Sequence, residues 1–222
     1  MKLDWSLFAN YWPTLLSGTR TTVEIWLLGS AIAMAIGATC GLLLPFGPRP
    51  LRKVIRCYVE LYRGTPLLVQ LFLVYAGGPH VGITLSAFTV GVWGLGLYGG
   101  AFFTETVRAG VISIPNGQIE AARSFGETRW QIIRSIILPQ VAVLSLPPSV
   151  NLLIFLLKDT AVLSIMTVHE LTFEVTGITL ETFAFVEPFI ALAVVYWLLV
   201  ELTAMLGRLA ERSLSNRLGM HA

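Results

Sequence analysis

Glu120-Ala121-Ala122-Arg123-Ser124-Phe125-Gly126, then nine residues, then Ile136-Ile137-Leu138-Pro139, is the stretch from which the fold is read. It is a short polar, helix-forming island with long apolar blocks on both sides. Pro115-Asn116-Gly117 before it is a turn signal, and Asn116 is placed to cap a helix running to about Phe125. Gly126 then supplies a left-handed stop. Thr128 and Gln131 have the spacing of a capping box, which starts a second helix at Arg129-Trp130 leading into Ile136 and the next apolar block. Helix, sharp glycine turn, helix, membrane is the outline of a rigid lever. Ala121, Ala122 and Phe125 are expected to project a small apolar knob, with Glu120 and Arg123 beside it. On physical grounds alone, an ordinary amphipathic loop has the same outline.

The apolar blocks set the solvent. The chain has 222 residues, of which 55% are hydrophobic and 13% charged, whereas soluble domains carry about 25% charged residues. Mean hydropathy is +0.74. A bilayer is the expected surrounding. The start, Met1-Lys2-Leu3-Asp4-Trp5, lacks the basic flank, apolar core and cleavage site of a secretory leader. Cys40 and Cys57 fall in or beside apolar blocks and have neither pairing nor metal spacing.

Net charge is only +2, yet the basic residues are grouped. Arg49, Arg52, Lys53 and Arg56 follow the first long apolar block. Arg108, Arg123, Arg129 and Arg134 follow the third, and Arg208, Arg212 and Arg217 follow the last block. Between Asp159 and the final block the charges are acidic: Glu170, Glu174, Glu181 and Glu187. By the positive-inside rule the basic groups are cytoplasmic, which puts the N-terminus outside and the C-terminus inside.

That orientation requires an odd number of spans, and about five are read. They run from about Thr22 to Leu44, Val54 to Ala76, Leu85 to Val107, Ile136 to Leu157 and Pro188 to Leu206. The island fills 108–134 and an outer loop fills 158–187. Gly29, Ala33, Gly37 and Gly41 form a small-residue stripe on the first span, suited either to close packing within the chain or to a dimer face. Gly64-Thr65-Pro66 interrupts the second span. Pro139, Pro147 and Pro148 predict a kinked or broken fourth span. Glu60 with Arg63, and Glu105 with Arg108, are three apart on their helices and are expected to neutralise each other.

Polar groups within spans are costly and draw attention as functional positions. Gln70 and Asn151 lie near broken helix, and Thr65 is in the break itself. Lys158, Asp159 and Thr160 sit at the outer end of the fourth span, where Lys158 suits a carboxylate and Asp159 an ammonium. Snorkelling and helix capping explain the same residues without a substrate. His80, His169 and His221 fall in loops or the tail, away from any nucleophile motif. HExxH and GxSxG are absent, and no Gly-Lys pair exists for a phosphate-binding loop. Neither a membrane hydrolase nor an ATPase is expected in this chain. A passive channel or scaffold remains as an alternative to a driven transporter, but it leaves the patterned island unexplained.

The island resembles, position for position, the cytoplasmic coupling loop by which permease subunits of bacterial ABC importers contact their ATPases. Tyr62-Arg63-Gly64-Thr65-Pro66-Leu67-Leu68-Val69-Gln70 resembles the polar amino-acid branch of that family, which takes up histidine, glutamate, glutamine, arginine and opines. So do Ser113-Ile114-Pro115-Asn116-Gly117-Gln118, Pro147-Pro148-Ser149-Val150-Asn151 and Leu157-Lys158-Asp159-Thr160-Ala161. The family typically has Ser where Ala161 stands and often Lys where Asn116 stands. These matches cover about half of the chain, from Tyr62 to Leu171.

The resemblance implies one all-α membrane domain over residues 1–222, in the bacterial inner membrane, with the coupling loop between spans three and four. It implies a permease subunit of an importer of polar amino acids. Expected partners are two ATP-binding cassette subunits, a second permease subunit (identical or homologous), an extracytoplasmic binding protein and lipid, with no nucleic acid. ATP and Mg would be held by the ATPase, leaving this chain without cofactor, metal or catalytic residue. Glu120, Ala121, Ala122, Arg123, Phe125 and Gly126 would form the ATPase contact. Thr65, Gln70, Asn151, Lys158, Asp159 and Thr160 would line the substrate pathway.

Overall fold

A computed structural model describes residues 6–218 of the chain. The Met1–Trp5 start and His221 lie outside the described residues. All regular elements among those residues are helical. They are α1 (Ser6–Phe46), α2 (Arg49–Gly64), α3 (Leu67–Tyr75), a short 3-10 turn (Gly78–Val81), α4 (Ala87–Ile112), α5 (Asn116–Ser124), α6 (Arg129–Ile132), a π turn (Ile133–Ile137), α7 (Leu138–Asp159), a 3-10 segment (Thr160–Met166), α8 (Leu171–Thr182) and α9 (Val186–Leu218).

Among the described residues, four stretches are long and apolar enough to cross a bilayer: Ala9–Phe46, Ala87–Ile112, Arg129–Met166 and Val186–Leu214. The expected second span is not one continuous helix. α2 carries Arg49, Arg52, Lys53, Arg56, Glu60 and Arg63, and it buries Ile55 and Val59. It ends at Gly64, and α3 adds only nine residues, about 13 Å at 1.5 Å per residue. Thr65 is extended (φ −125°, ψ 145°), as a residue before proline must be.

Prolines act differently in the fourth span. α7 continues through Pro147 and Pro148 without interruption, so of the expected kink or break, a break does not occur there. The irregularity lies just before Pro139. Leu138 N–H bonds Ile133 O in a five-residue π turn, and this wider turn relieves the clash of the Pro139 ring with the preceding carbonyls.

The bundle is organised around the packing of α1 on α4. The small-residue stripe faces α4 rather than a free surface. A Cβ added at Gly37 would lie 2.2 Å from Phe103 Cβ, and one at Gly41 2.6 Å from Val107 Cβ. In lipid no hydrophobic drive pulls helices together, so dispersion contacts across such close approaches hold them. Ile25, Ala33, Leu71, Leu95, Phe103, Leu156 and Leu163 form the central cluster. Trp26 Nε1 donates to Leu153 O at 2.9 Å, fastening α1 to α7. Leu27, Leu28, Trp197, Leu198 and Leu202 are exposed on α1 and α9, as lipid-facing positions would be.

Candidate functional site

The island folds as its sequence pattern dictates, with two differences. α5 runs Asn116–Ser124 and its N-cap is Pro115, with no side-chain bond. Asn116 is therefore the first helical residue and not the cap, because the extended Pro115 (φ −61°, ψ 129°) already turns the chain into the helix. Ala122, placed with the projecting knob, instead points inward. It packs with Val111, Ile114, Ile132, Ile137 and Val141. Ala121 and Phe125, four residues apart, share a neighbouring, outward stripe. Phe125 is 88% exposed, and Glu120, Ala121, Arg123 and Gly126 are exposed with it.

The turn is fixed by backbone bonds. Gly126 N–H bonds Arg123 O at 2.9 Å and Glu127 N–H bonds Ala122 O at 3.1 Å, the paired contacts of a Schellman ending. Gly126 adopts φ +84°, a left-handed conformation that glycine reaches without penalty. The capping box forms as expected: Gln131 N–H bonds Thr128 Oγ1 at 3.4 Å, and Thr128 N–H bonds Gln131 Oε1 at 2.8 Å. Gln140 Nε2 donates to Gln118 Oε1 at 2.7 Å, tying α5 to the root of α7. Trp130 stands 67% exposed beside Phe125's turn. The result is an aromatic, charge-flanked tip on a stiff base that continues into α7.

Basic residues collect at this end of the bundle. Arg123 and Arg129 line a cavity of about 330 Å³ with Pro45 and Phe46 at the end of α1. Arg56 and Arg63 of α2 share a second cavity with Arg108. The neutral pair expected between Glu60 and Arg63 is replaced by a cross-helix arrangement. Glu105 takes Arg108 at 2.7 Å and Arg63 at 4.0 Å, and Arg63 also lies over the Phe102 ring at 5.3 Å. Arg63 turns toward α4 because α2 packs its inner face there. A cavity of about 560 Å³ runs from this cluster past Ser113 and Leu144 to Pro148 and Leu152.

The expected pathway residues fall into separate places. At the break, Gln70 Nε2 donates to Tyr62 O (3.0 Å), Thr65 O (3.0 Å) and Thr65 Oγ1 (2.7 Å), while Thr65 Oγ1 donates to Leu61 O at 2.8 Å. Both side chains thus replace backbone bonds lost around Pro66. Gln70 Oε1 is buried with no hydrogen-bond partner. Asn151 and Lys158 are exposed, Asp159 half-buried, and Thr160 wholly buried.

The sequence reading missed Glu170. Its place among the acids of an outer loop predicts exposure, but it is 0% exposed, and Glu187 is 5% exposed. The Glu170 carboxylate caps α8, accepting from Thr172 N–H (2.9 Å) and Phe173 N–H (2.8 Å). Tyr196 O–H donates to it at 3.3 Å and Thr22 O–H at 3.5 Å. Burial pushes its pKa up, against the hydrogen bonds that pull it down. Position alone carried a signal: an acid directly before an apolar helical run complements the positive end of that helix.

Comparison with known proteins sorts these features. The model of the family described as "Binding-protein-dependent transport system inner membrane component" matches residues 33–216. The L-cystine transport system permease protein TcyB of Bacillus subtilis (strain 168) is 34% identical over 218 residues, covering 96% of this chain and 92% of that protein. The probable amino-acid ABC transporter permease protein PatM of Vibrio harveyi is 32% identical, covering 97% of this chain and 98% of its own. A solved "amino acid ABC transporter with histidines" superposes with a TM-score of 0.89 at 34% identity, covering 96% of this chain and 100% of that one. The chain belongs to the family of inner-membrane components of binding-protein-dependent transport systems.

Proposed function

We propose that this chain is the permease subunit of an ATP-driven importer of polar amino acids. The observation that carries the reading is the island: an exposed Phe125–Trp130 tip on a Schellman turn and capping box, built on the root of α7. α5 is the coupling helix, and Glu120, Ala121, Arg123, Phe125 and Gly126 meet the ATPase. Ala122 supports them from beneath. Two ATP-binding cassette subunits hold ATP and Mg, and this chain needs no cofactor of its own. α2 and α3 together make the second of five crossings, broken at Thr65-Pro66, with the N-terminus outside and the C-terminus cytoplasmic. The gathering of basic residues at the island's end of the bundle supports that orientation.

A second permease subunit completes the pathway, and an extracytoplasmic binding protein delivers the amino acid. The names of relatives, which specify L-cystine transport and amino-acid permeases, support this cargo class. Lys158 and Asp159 at the outer end meet the substrate carboxylate and ammonium. Asn151 lies along the route. The buried, unpartnered Gln70 Oε1 offers an acceptor at the break. When ATP closes the ATPase pair, the docked tips move, and the bundle halves swing between outward- and inward-open poses.

The test is sidedness and attachment. With Cys40 and Cys57 replaced by Ser and the ATPase stripped off, Phe125→Cys should react with a membrane-impermeant maleimide in inverted vesicles and not in intact cells. An ATP-binding cassette subunit should co-purify, and should be lost from a Glu120→Lys variant with a bulky residue at Gly126. Labelling in intact cells, or an ATPase that never attaches, overturns the reading.

A further inference from the structure

We propose that Glu170 is a positioning residue for the outer end of the pathway, acting through Tyr196 on Thr160. Glu170 joins elements far apart in sequence: Thr22 on α1, Tyr196 on α9 and the first turn of α8. Tyr196 in turn stands 3.2 Å from Thr160 Oγ1, on the residue following Lys158-Asp159. Glu170 and Thr160 are both 0% exposed and Tyr196 is half-buried between them, so both ends of the link are withdrawn from bulk water.

Tyr196 O–H has one proton and three oxygens near it: Glu170 Oε2 at 3.3 Å, Thr160 Oγ1 at 3.2 Å and Thr172 Oγ1 at 3.4 Å. Thr160 spends its own proton on Leu157 O at 2.7 Å. An ionised Glu170 takes the Tyr196 proton. The Thr160 and Tyr196 oxygens then face each other with no proton between them, unless Thr160 turns away from Leu157 O. Leu157 O is the last turn of α7, directly before Lys158. The carboxylate therefore selects how α7 ends and where the Lys158-Asp159 pair is aimed. A buried carboxylate costs far more than a neutral cap, and Ser or Asn would cap α8 as well. Its extra acceptor for Tyr196 is what a neutral cap of that size lacks.

This inference rests on the reading that Lys158 and Asp159 contact the cargo. The test uses the whole importer in cells, with uptake measured from an equimolar mixture of radiolabelled L-amino acids. Less subunit in the membrane lowers every amino acid's uptake in proportion. A misaimed corner changes the proportions. Tyr196→Phe, which removes one oxygen and leaves the cap of α8 intact, should change the relative uptake of at least two amino acids about threefold or more. Glu170→Gln should do the same, and the double variant should go no further than either single one. Thr203→Val, a buried hydroxyl elsewhere on α9, should leave the proportions unchanged.

Lys158→Ala and Asp159→Asn separate the two readings. If neither alters uptake, the contact reading itself fails, and this inference fails with it. If they do alter it, three outcomes overturn the inference alone. They are wild-type proportions in Tyr196→Phe, a fall in abundance without a change of proportions, and additive effects of the two substitutions.

Discussion

Gln70 donates its side-chain amide to the carbonyl of Tyr62 at 3.0 Å, the carbonyl that a helical N–H at position 66 would have met. Pro66 has no N–H to give. The glutamine one turn further on supplies the missing donor and closes the gap between α2 and α3. Removing it leaves part-buried carbonyls without this donor, at a cost of up to about 1–3 kcal/mol. Gln70→Leu should therefore lower the thermal midpoint of the purified subunit in detergent. Pro66→Ala restores a backbone donor, so Gln70→Leu should cost measurably less in that background. Equal losses in both backgrounds would show that Gln70 acts elsewhere.

Gly126 can be tested for backbone rather than space. A Cβ there would meet nothing within 4 Å, yet φ is +84°. Left-handed backbone costs L residues roughly 1–2 kcal/mol, with Asn the most tolerant of them. Gly126→Asn should keep most uptake, while Gly126→Val should lose coupling between ATP hydrolysis and uptake with the subunit still inserted. A Val variant that transports like wild type would mean the turn does not transmit force.

How much of this was legible in the sequence depended on how local the cause was. The α1, α4, α7 and α9 spans are long apolar runs, and Thr128–Gln131 and Gly126 are motifs a few residues long. All were readable. The break at Pro66 was also readable, but its repair by Gln70 was not, because a glutamine's direction is set only once α3 exists. Arg63 chose Glu105 over Glu60 because α2 packs against α4, a fact of tertiary contact. Glu170 was hardest to see. Its partners Thr22 and Tyr196 lie 148 and 26 residues away, and nothing in an acidic loop announces that one acid is inside.

The contact between α1 and α4 makes a graded prediction. Gly37 sits where a Cβ would come 2.2 Å from Phe103 Cβ and 2.9 Å from its backbone carbonyl carbon. Neither atom is the free end of a flexible side chain, so the helices must part. Overpacking of this kind costs about 1–3 kcal/mol or more. Gly37→Ala should lower the melting temperature in detergent clearly. Gly64→Ala, with nothing within 4 Å of its Cβ, should be neutral or slightly stabilising. The same loss at both positions would mean the stripe is not a packing face.

Glu170 also gives stability a pH dependence with a definite sign. Burial holds its carboxyl above the ordinary value of 4.5, with the Thr172 and Phe173 N–H bonds opposing the shift. The folded state thus binds this proton more tightly than the unfolded state. Its contribution is fully present below the unfolded value and is lost as pH rises through the raised native one. Glu170→Gln cannot ionise and removes that slope. Melting temperatures of wild type and Glu170→Gln, followed in detergent from about pH 4 upward, should diverge with the wild type losing ground as pH rises. Comparing the two isolates Glu170, because every other titrating group is common to both. Parallel curves would mean that the hydrogen bonds to the carboxylate fully offset its burial. A wild type that gains on Glu170→Gln with rising pH would mean they outweigh it, making the charged carboxylate the stabilising form.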